Sequence, residues 1–159
     1  MATAMKRLEL PASQQRVVAS AARRGYPYEV CGALIGFVEE TRVRVTRAVA
    51  IPNTAAEAER RRRFVIDPKA VLQLDRMLRK TADQLVGFYH SHPDHPAAPS
   101  PTDLKYLRLW PQTVWLIVPV SNGSPGKARA WWLSDPAKGK PAELELVSAK
   151  QVPQVDSPG

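Results

Sequence analysis

The chain has 159 residues, enough for one domain with its own core. Hydrophobic residues make up 44%, which excludes a disordered chain, and no apolar run approaches the roughly 20 residues needed to span a bilayer as a helix. A net charge of +8 leaves an acidic protein partner, an anionic surface or nucleic acid open, and the single Cys31 excludes an intrachain disulfide.

Alternation over 6–10 predicts a first short strand. A helix follows over 11–24, with Val17, Val18, Ala21 and Ala22 as its apolar stripe and Gly25 as its cap. The continuous apolar run 31–37 predicts a buried central strand. Glu39-Glu40 turns the chain, and 41–51 alternates valines against Arg42, Arg44 and Thr46, the other arm of a hairpin with one polar face. Residues 52–62 read as a loop and 64–66 as a short strand. Asp67-Pro68 starts a second helix, with Asp as cap and Pro at the first helical position; Val71, Leu74 and Leu78 mark its buried face, and it runs to about Ala82.

A strand over 84–90 ends on the histidines. A third helix begins at Ser100 or Pro101 and stops before Pro111. A strand over 113–120, a turn over 121–126 and a returning strand over 127–133 form a hairpin, and 142–147 adds an edge strand. The Pro-containing tail 151–159 is expected to fray. The element order argues α/β or α+β, a mixed sheet between helices in one domain over 1–150. The start of the chain lacks the apolar core of a signal peptide, so a cytoplasmic location is expected.

Residues 90–103 carry the chemistry. His90 and His92 stand one residue apart at a strand end, where side chains at i and i+2 point the same way. All three histidines of the chain lie within 90–95. A Pro-rich loop leads to Ser100 and Asp103, and an Asp on the first turn of a helix can supply a third ligand. Two His and one carboxylate with an open fourth position make up a hydrolytic zinc site. Ser-x-x-Asp at a helix start is also the pattern of a capping box, and taken by itself the cap is the better reading. Glu29, just before a buried strand, is either a surface residue at a turn or a buried acid that needs a partner.

His90-x-His92, seven residues, then Ser100-x-x-Asp103 resembles the signature of the JAMM (MPN-plus) metalloprotease family, and Pro27-Tyr28-Glu29-Val30-Cys31-Gly32 resembles the upstream segment of its short bacterial and archaeal members. The resemblance covers about 8–133. It implies a cytidine-deaminase-like three-layer fold and a Zn2+ ion held by His90, His92 and Asp103. It makes Glu29 the general base, taking a proton from the attacking water and returning it to the leaving amine, and Ser100 a donor to the oxyanion. The implied substrate is the amide bond after the C-terminal Gly-Gly of a ubiquitin-fold, sulfur-carrier-like protein. A hydrolase of a small amide or cell-wall peptide, a non-catalytic MPN binding module and a basic DNA-associated relative remain as alternatives.

Several residues stay outside that scheme. Cys31 reads as a small buried wall residue rather than a nucleophile, with Gly32 and Gly36 allowing close backbone approach beside the site. His95 is a residue of the rim or of a solvated loop. Alternation in Trp131-Trp132 sends one ring outward, where it could serve an interface. The block Arg60 to Arg63 is a solvated loop or a patch for an acidic partner, with nucleic acid a weaker third reading, since no aromatic residues are interleaved.

Overall fold

The computed structural model describes residues 4–135, 137 and 139–149; the predicted frayed tail lies outside them. The strands are β1 (Arg7–Glu9), β2 (Cys31–Glu39), β3 (Arg42–Ile51), β4 (Gln84–Pro93), β5 (Val114–Ser121), β6 (Ser124–Pro125), β7 (Arg129–Trp132) and β8 (Ala142–Val147). The helices are α1 (Ala12–Gly25), α2 (Pro68–Leu78) and α3 (Pro101–Leu109), with a 3-10 turn at Glu57–Glu59.

One mixed sheet takes the strands in the order β4-β2-β3-β1-β8-β7-β5-β6. β4 also pairs with β5 in parallel, so the curved sheet closes on itself. Each face buries a cluster under a different helix. Val18 and Ala22 of α1 pack with Leu8, Leu34, Val43, Leu116 and Leu144. Val71, Leu74 and Leu78 of α2 and Leu107 of α3 pack with Ala33, Ile35, Phe88 and Trp115 on the opposite face. The result is the expected three layers, and the second face carries the chemistry: His90, two residues after Phe88, lies on it against Phe64.

The structure departs from the sequence reading at several places. β8 is not an edge strand: it lies between β1 and β7 and pairs with both. Its alternating acids look like an exposed edge, but Glu143 is engaged by Arg129 of β7. Residues 64–66 form no strand, only an Asn53–Ile66 bridge. The backbone of Val65 is consumed by Asn53 Oδ1, which accepts its N–H, and by the N–H of Thr54. α2 stops at Leu78 because Thr81 folds back to donate from both N and Oγ1 to the Leu78 carbonyl. β4 runs on to Pro93, since its parallel ladder with β5 continues to Val120.

On α1, Val17 is exposed rather than part of the buried stripe. Gly25 ends α1 without a left-handed cap, since Tyr26 follows with φ −53. A side chain at Gly25 would instead overlap Val30. Gly36 lets β2 approach the Arg44 carbonyl, but it pairs with Gln84, at the other end of β4 from His90. It therefore does not border the site.

Candidate metal centre

β4 delivers its two histidines from a backbone pinned to the segment that carries Glu29. Cys31 pairs with His90 across the β2–β4 ladder. Beyond that pair, Ser91 N–H donates to the Val30 carbonyl (3.0 Å) and Val30 N–H donates to Ser91 Oγ (2.9 Å). Glu29 stands two residues before Cys31, and its own backbone is held on both sides. Its N–H donates to the Arg60 carbonyl (2.7 Å), and its carbonyl accepts from Asn53 Nδ2 (3.0 Å).

The third helix supplies Asp103, and its placement suits both readings of Ser-x-x-Asp. Asp103 N–H donates to Ser100 Oγ (3.0 Å) and Ser100 N–H donates to Asp103 Oδ2 (2.9 Å), a complete capping box. The same Oδ2 lies 3.1 Å from His90 Nε2 and 2.9 Å from His92 Nε2, and the two Nε2 atoms are 3.1 Å apart. Three ligand-type atoms thus form a nearly equilateral triangle. Ligands about 2.0–2.1 Å from a tetrahedral metal ion are separated by about 3.3–3.4 Å. The triangle is slightly tighter than that and has the right shape.

Hydrogen bonding points the same way. His92 Nδ1 lies 2.7 Å from the Pro96 carbonyl, so the proton sits on Nδ1. In the neutral ring the lone pair is then on Nε2, facing a carboxylate oxygen. Two acceptors at 2.9 Å need a proton or a metal cation between them. The donor set fits a bound divalent ion.

Glu29 joins the same centre: one of its oxygens and one ring nitrogen from each of His90 and His92 lie within 4.8 Å of one another. Its Oε2 is buried with no hydrogen-bond partner among the described residues. Burial, with the charge of Asp103 adding and His92 opposing, pushes its carboxyl up to about 8. Asp103 goes the other way. Burial would raise it, but hydrogen bonds from His90, His92 and the Ser100 N–H hold it well below the usual carboxylate range. Burial pulls His90 down despite Asp103. It pulls on His92 too, but Asp103 and the Pro96 carbonyl outweigh it and hold His92 above its ordinary value.

A cavity of about 510 Å³ opens onto this centre, lined by Glu29, His92, Ser100, His95 and Arg62 among others. His95 is therefore on the rim, exposed. Ser100 Oγ uses a lone pair on the helix cap, and its hydroxyl proton has no acceptor among the described residues, so it can donate toward the cavity. Cys31 is a wall residue: it is buried, donates to the Ile51 carbonyl, and burial followed by Glu29 pushes its thiol up to about 12. That is far from a nucleophilic thiolate.

Four supporting residues escape the sequence reading. Phe64 packs on His90 with ring centroids 4.5 Å apart. Asn53 ties Glu29 to residues 55, 63 and 65. Pro96 contributes only its carbonyl. Trp131 is not an outward ring: its Nε1 donates to the Ala97 carbonyl (2.9 Å), anchoring the loop between His92 and Ser100, and Arg129 stacks over it. Only Asn53, a turn-forming residue beside an apolar strand, carried a signal, and that signal reads equally as an ordinary loop.

Residues 11–134 match the model of a family described as prokaryotic homologs of the JAB domain. A desampylase of Haloferax volcanii is 37% identical over 115 residues, 70% of this chain and 79% of that one. A probable TtuB-protein conjugate cleaving protease of Thermus thermophilus is 33% identical over 91 residues, 57% of this chain and 55% of that one. A protein of Desulfitobacterium hafniense solved in solution superposes with TM-score 0.80 at 24% identity, covering 96% of this chain and 99% of that one, a likeness of fold.

Proposed function

The chain belongs to the prokaryotic homologues of the JAB domain and is a hydrolytic enzyme of the short JAMM type, and from that premise we propose that it is a zinc-dependent isopeptidase acting on the amide bond after the Gly-Gly end of a ubiquitin-fold carrier protein. One observation carries the reading: His90 Nε2, His92 Nε2 and Asp103 Oδ2 converge within 3.1 Å, beside an acid with an unpartnered oxygen. His90, His92 and Asp103 would hold the ion. When bound, zinc supplies Lewis acidity that polarises the scissile carbonyl and lets water act as a nucleophile near neutral pH.

The chain's own groups do the rest. Glu29 takes a proton from the attacking water as the new C–O bond forms and passes it to the leaving amine as the C–N bond breaks. It ends as it began. Burial raises this carboxyl and a cation held beside it would lower it again, which leaves an acid able both to take and to return the proton. Ser100 donates its hydroxyl proton to the carbonyl oxygen as charge develops there. His92 keeps its lone pair inward because Nδ1 is committed to Pro96.

The carrier as substrate is favoured by the Thermus relative, named for cleaving a protein conjugate, and by the desampylase likeness. A cytoplasmic setting fits the buried free thiol of Cys31, and no described helix is long and apolar enough to cross a membrane. Mass spectrometry of a carrier bearing residues after its Gly-Gly, incubated with the protein, tests the reading. Cleavage directly after Gly-Gly, with one zinc per chain by elemental analysis, is the expected result. An intact fusion in the presence of bound metal would overturn it.

A further inference from the structure

The Arg60 to Arg63 block is not a free loop. Arg60 accepts the Glu29 N–H on its carbonyl and donates from Nε to the Ala55 carbonyl. Beneath it, Tyr106 of α3 donates to the Phe64 carbonyl and stacks on the Phe64 ring. The block is thus built onto the catalytic face, and its side chains line a groove of about 750 Å³ against α3. Arg61, Arg62 and Arg63 form one part of the lining, with Lys105, Tyr106 and Leu109 from α3. Arg62 also lines the cavity over the metal centre, so the two spaces are neighbours through one side chain.

Most of the positive charge in this groove is uncompensated. Its one carboxylate, Glu59, is already engaged by Arg63 at 3.4 Å. Among the described residues no carboxylate pairs with Arg61, Arg62 or Lys105, whereas Arg42 and Arg44 are paired with Glu9 and Glu39. Like charges held together in a concave site repel one another and focus a field on whatever enters. Leu109, 73% exposed, adds an apolar contact.

We propose that this groove receives acidic side chains of the substrate polypeptide within a few residues of the scissile bond, and so sets which conjugates are cleaved fastest. The inference rests on the isopeptidase reading for the identity of the reaction. A peptide is favoured over nucleic acid for two reasons. Tyr106 is the one aromatic residue lining the groove and a face of its ring is stacked on Phe64, so the groove offers no series of rings on which successive bases could stack. Arg42 and Arg44, at the far end of β3, are neutralised by Glu9 and Glu39 and so add no second basic patch along which a phosphate backbone could run.

The test uses two carrier fusions identical except for four residues flanking the scissile bond, Asp and Glu in one and Asn and Gln in the other. Wild-type kcat/KM should be about tenfold higher for the acidic fusion at low salt, with the gap narrowing as salt is added. Arg61→Glu with Lys105→Glu should reverse the preference, and Arg61→Gln with Lys105→Gln should abolish it. A wild-type ratio near one, or one that survives in the double variants, overturns the proposal. A separate arm measures anisotropy of a labelled acidic peptide with no scissile bond. Binding that is lost in the reversed variant supports the groove even if neither fusion is cleaved, a result that would sink the isopeptidase reading alone. Tighter retention of duplex DNA than of the peptide at matched salt overturns the proposal in favour of nucleic acid.

Discussion

The start of α3 and the segment entering β2 each bring one buried acid to the same pocket, and they treat it in opposite ways. Asp103 is met by the two Nε2 atoms and the Ser100 N–H, so its charge is held strongly. Glu29 is pinned through its backbone while Oε2 has no partner among the described residues, and burial raises its carboxyl to about 8. The difference is one of solvation: donors aimed at a carboxylate favour its ionised form, and burial without donors favours the proton. A site that must fix a cation and also move protons needs one acid of each kind.

The contrast breaks most completely at Asp103. Asp103→Ala removes a vertex of the triangle and half of the capping box, so metal affinity should fall by more than about a hundredfold and turnover should vanish with it. Competition with a chelator of known affinity reads the first and carrier cleavage the second. Unchanged metal affinity would leave Asp103 as a helix cap only. Glu29→Gln tests the other acid. It keeps shape and hydrogen-bonding atoms but cannot accept the proton, so turnover should drop by about 10²–10⁴ while metal content stays at the wild-type level. Wild-type cleavage by that variant would remove Glu29 from the chemistry.

These two acids were legible to very different degrees. Periodicity locates the strands and helices around them, because β2 to β5 and α1 to α3 bury faces with the expected spacing. The histidines were readable because residue type, clustering and strand geometry agree. Asp103 was ambiguous in sequence, where a cap and a ligand have the same pattern, and the structure shows one side chain that completes the capping box and also converges on the two Nε2 atoms. Glu29 needed the family resemblance, since nothing local says that the residue two before β2 faces His92. The supports of the site were beyond sequence reasoning for a physical reason. Pro96 acts through a carbonyl, Phe64 through a ring brought in from outside any strand, and Trp131 across 34 residues. Strand β8 failed the same way: its pattern shows a polar face, but which strands flank it is set by the closure of the whole sheet.

The raised carboxyl of Glu29 also has a stability signature, best read after metal is stripped with a chelator. In the unfolded chain this group titrates near 4.5, and in the native protein near 8. The native state therefore holds the extra proton between those values. The stability this contributes is present in full below 4.5 and is lost as pH rises through 8. Glu29→Gln cannot lose it. The variant should match wild type near pH 5 and exceed it at pH 9, on the order of a few kcal/mol. Asp103 is ionised in both states across this window, and His90 and His92 are present in both proteins, so the difference between the two stability curves isolates Glu29. A difference that does not change with pH would mean that Oε2 finds donors and that the contrast with Asp103 is one of degree.

Ser100 is where the contrast can be sharpened with the smallest change, since its hydroxyl touches both sides of it. As acceptor it satisfies Asp103 N–H, and as donor it faces the cavity that Glu29 also lines. Ser100→Ala removes both roles and should cost about 1 kcal/mol of stability. Ser100→Gly separates them: glycine is tolerated at a cap at a cost of only a few tenths of a kcal/mol, yet it has no hydroxyl. If the donor matters, Ser100→Gly should melt within a degree or two of wild type and keep its metal, but cleave about ten- to a hundredfold more slowly. The loss should appear in kcat rather than KM, because the oxyanion charge develops only as the carbonyl is attacked. A glycine variant that cleaves at the wild-type rate would assign Ser100 to the helix alone, with Glu29 the one protein group acting directly on the reacting atoms.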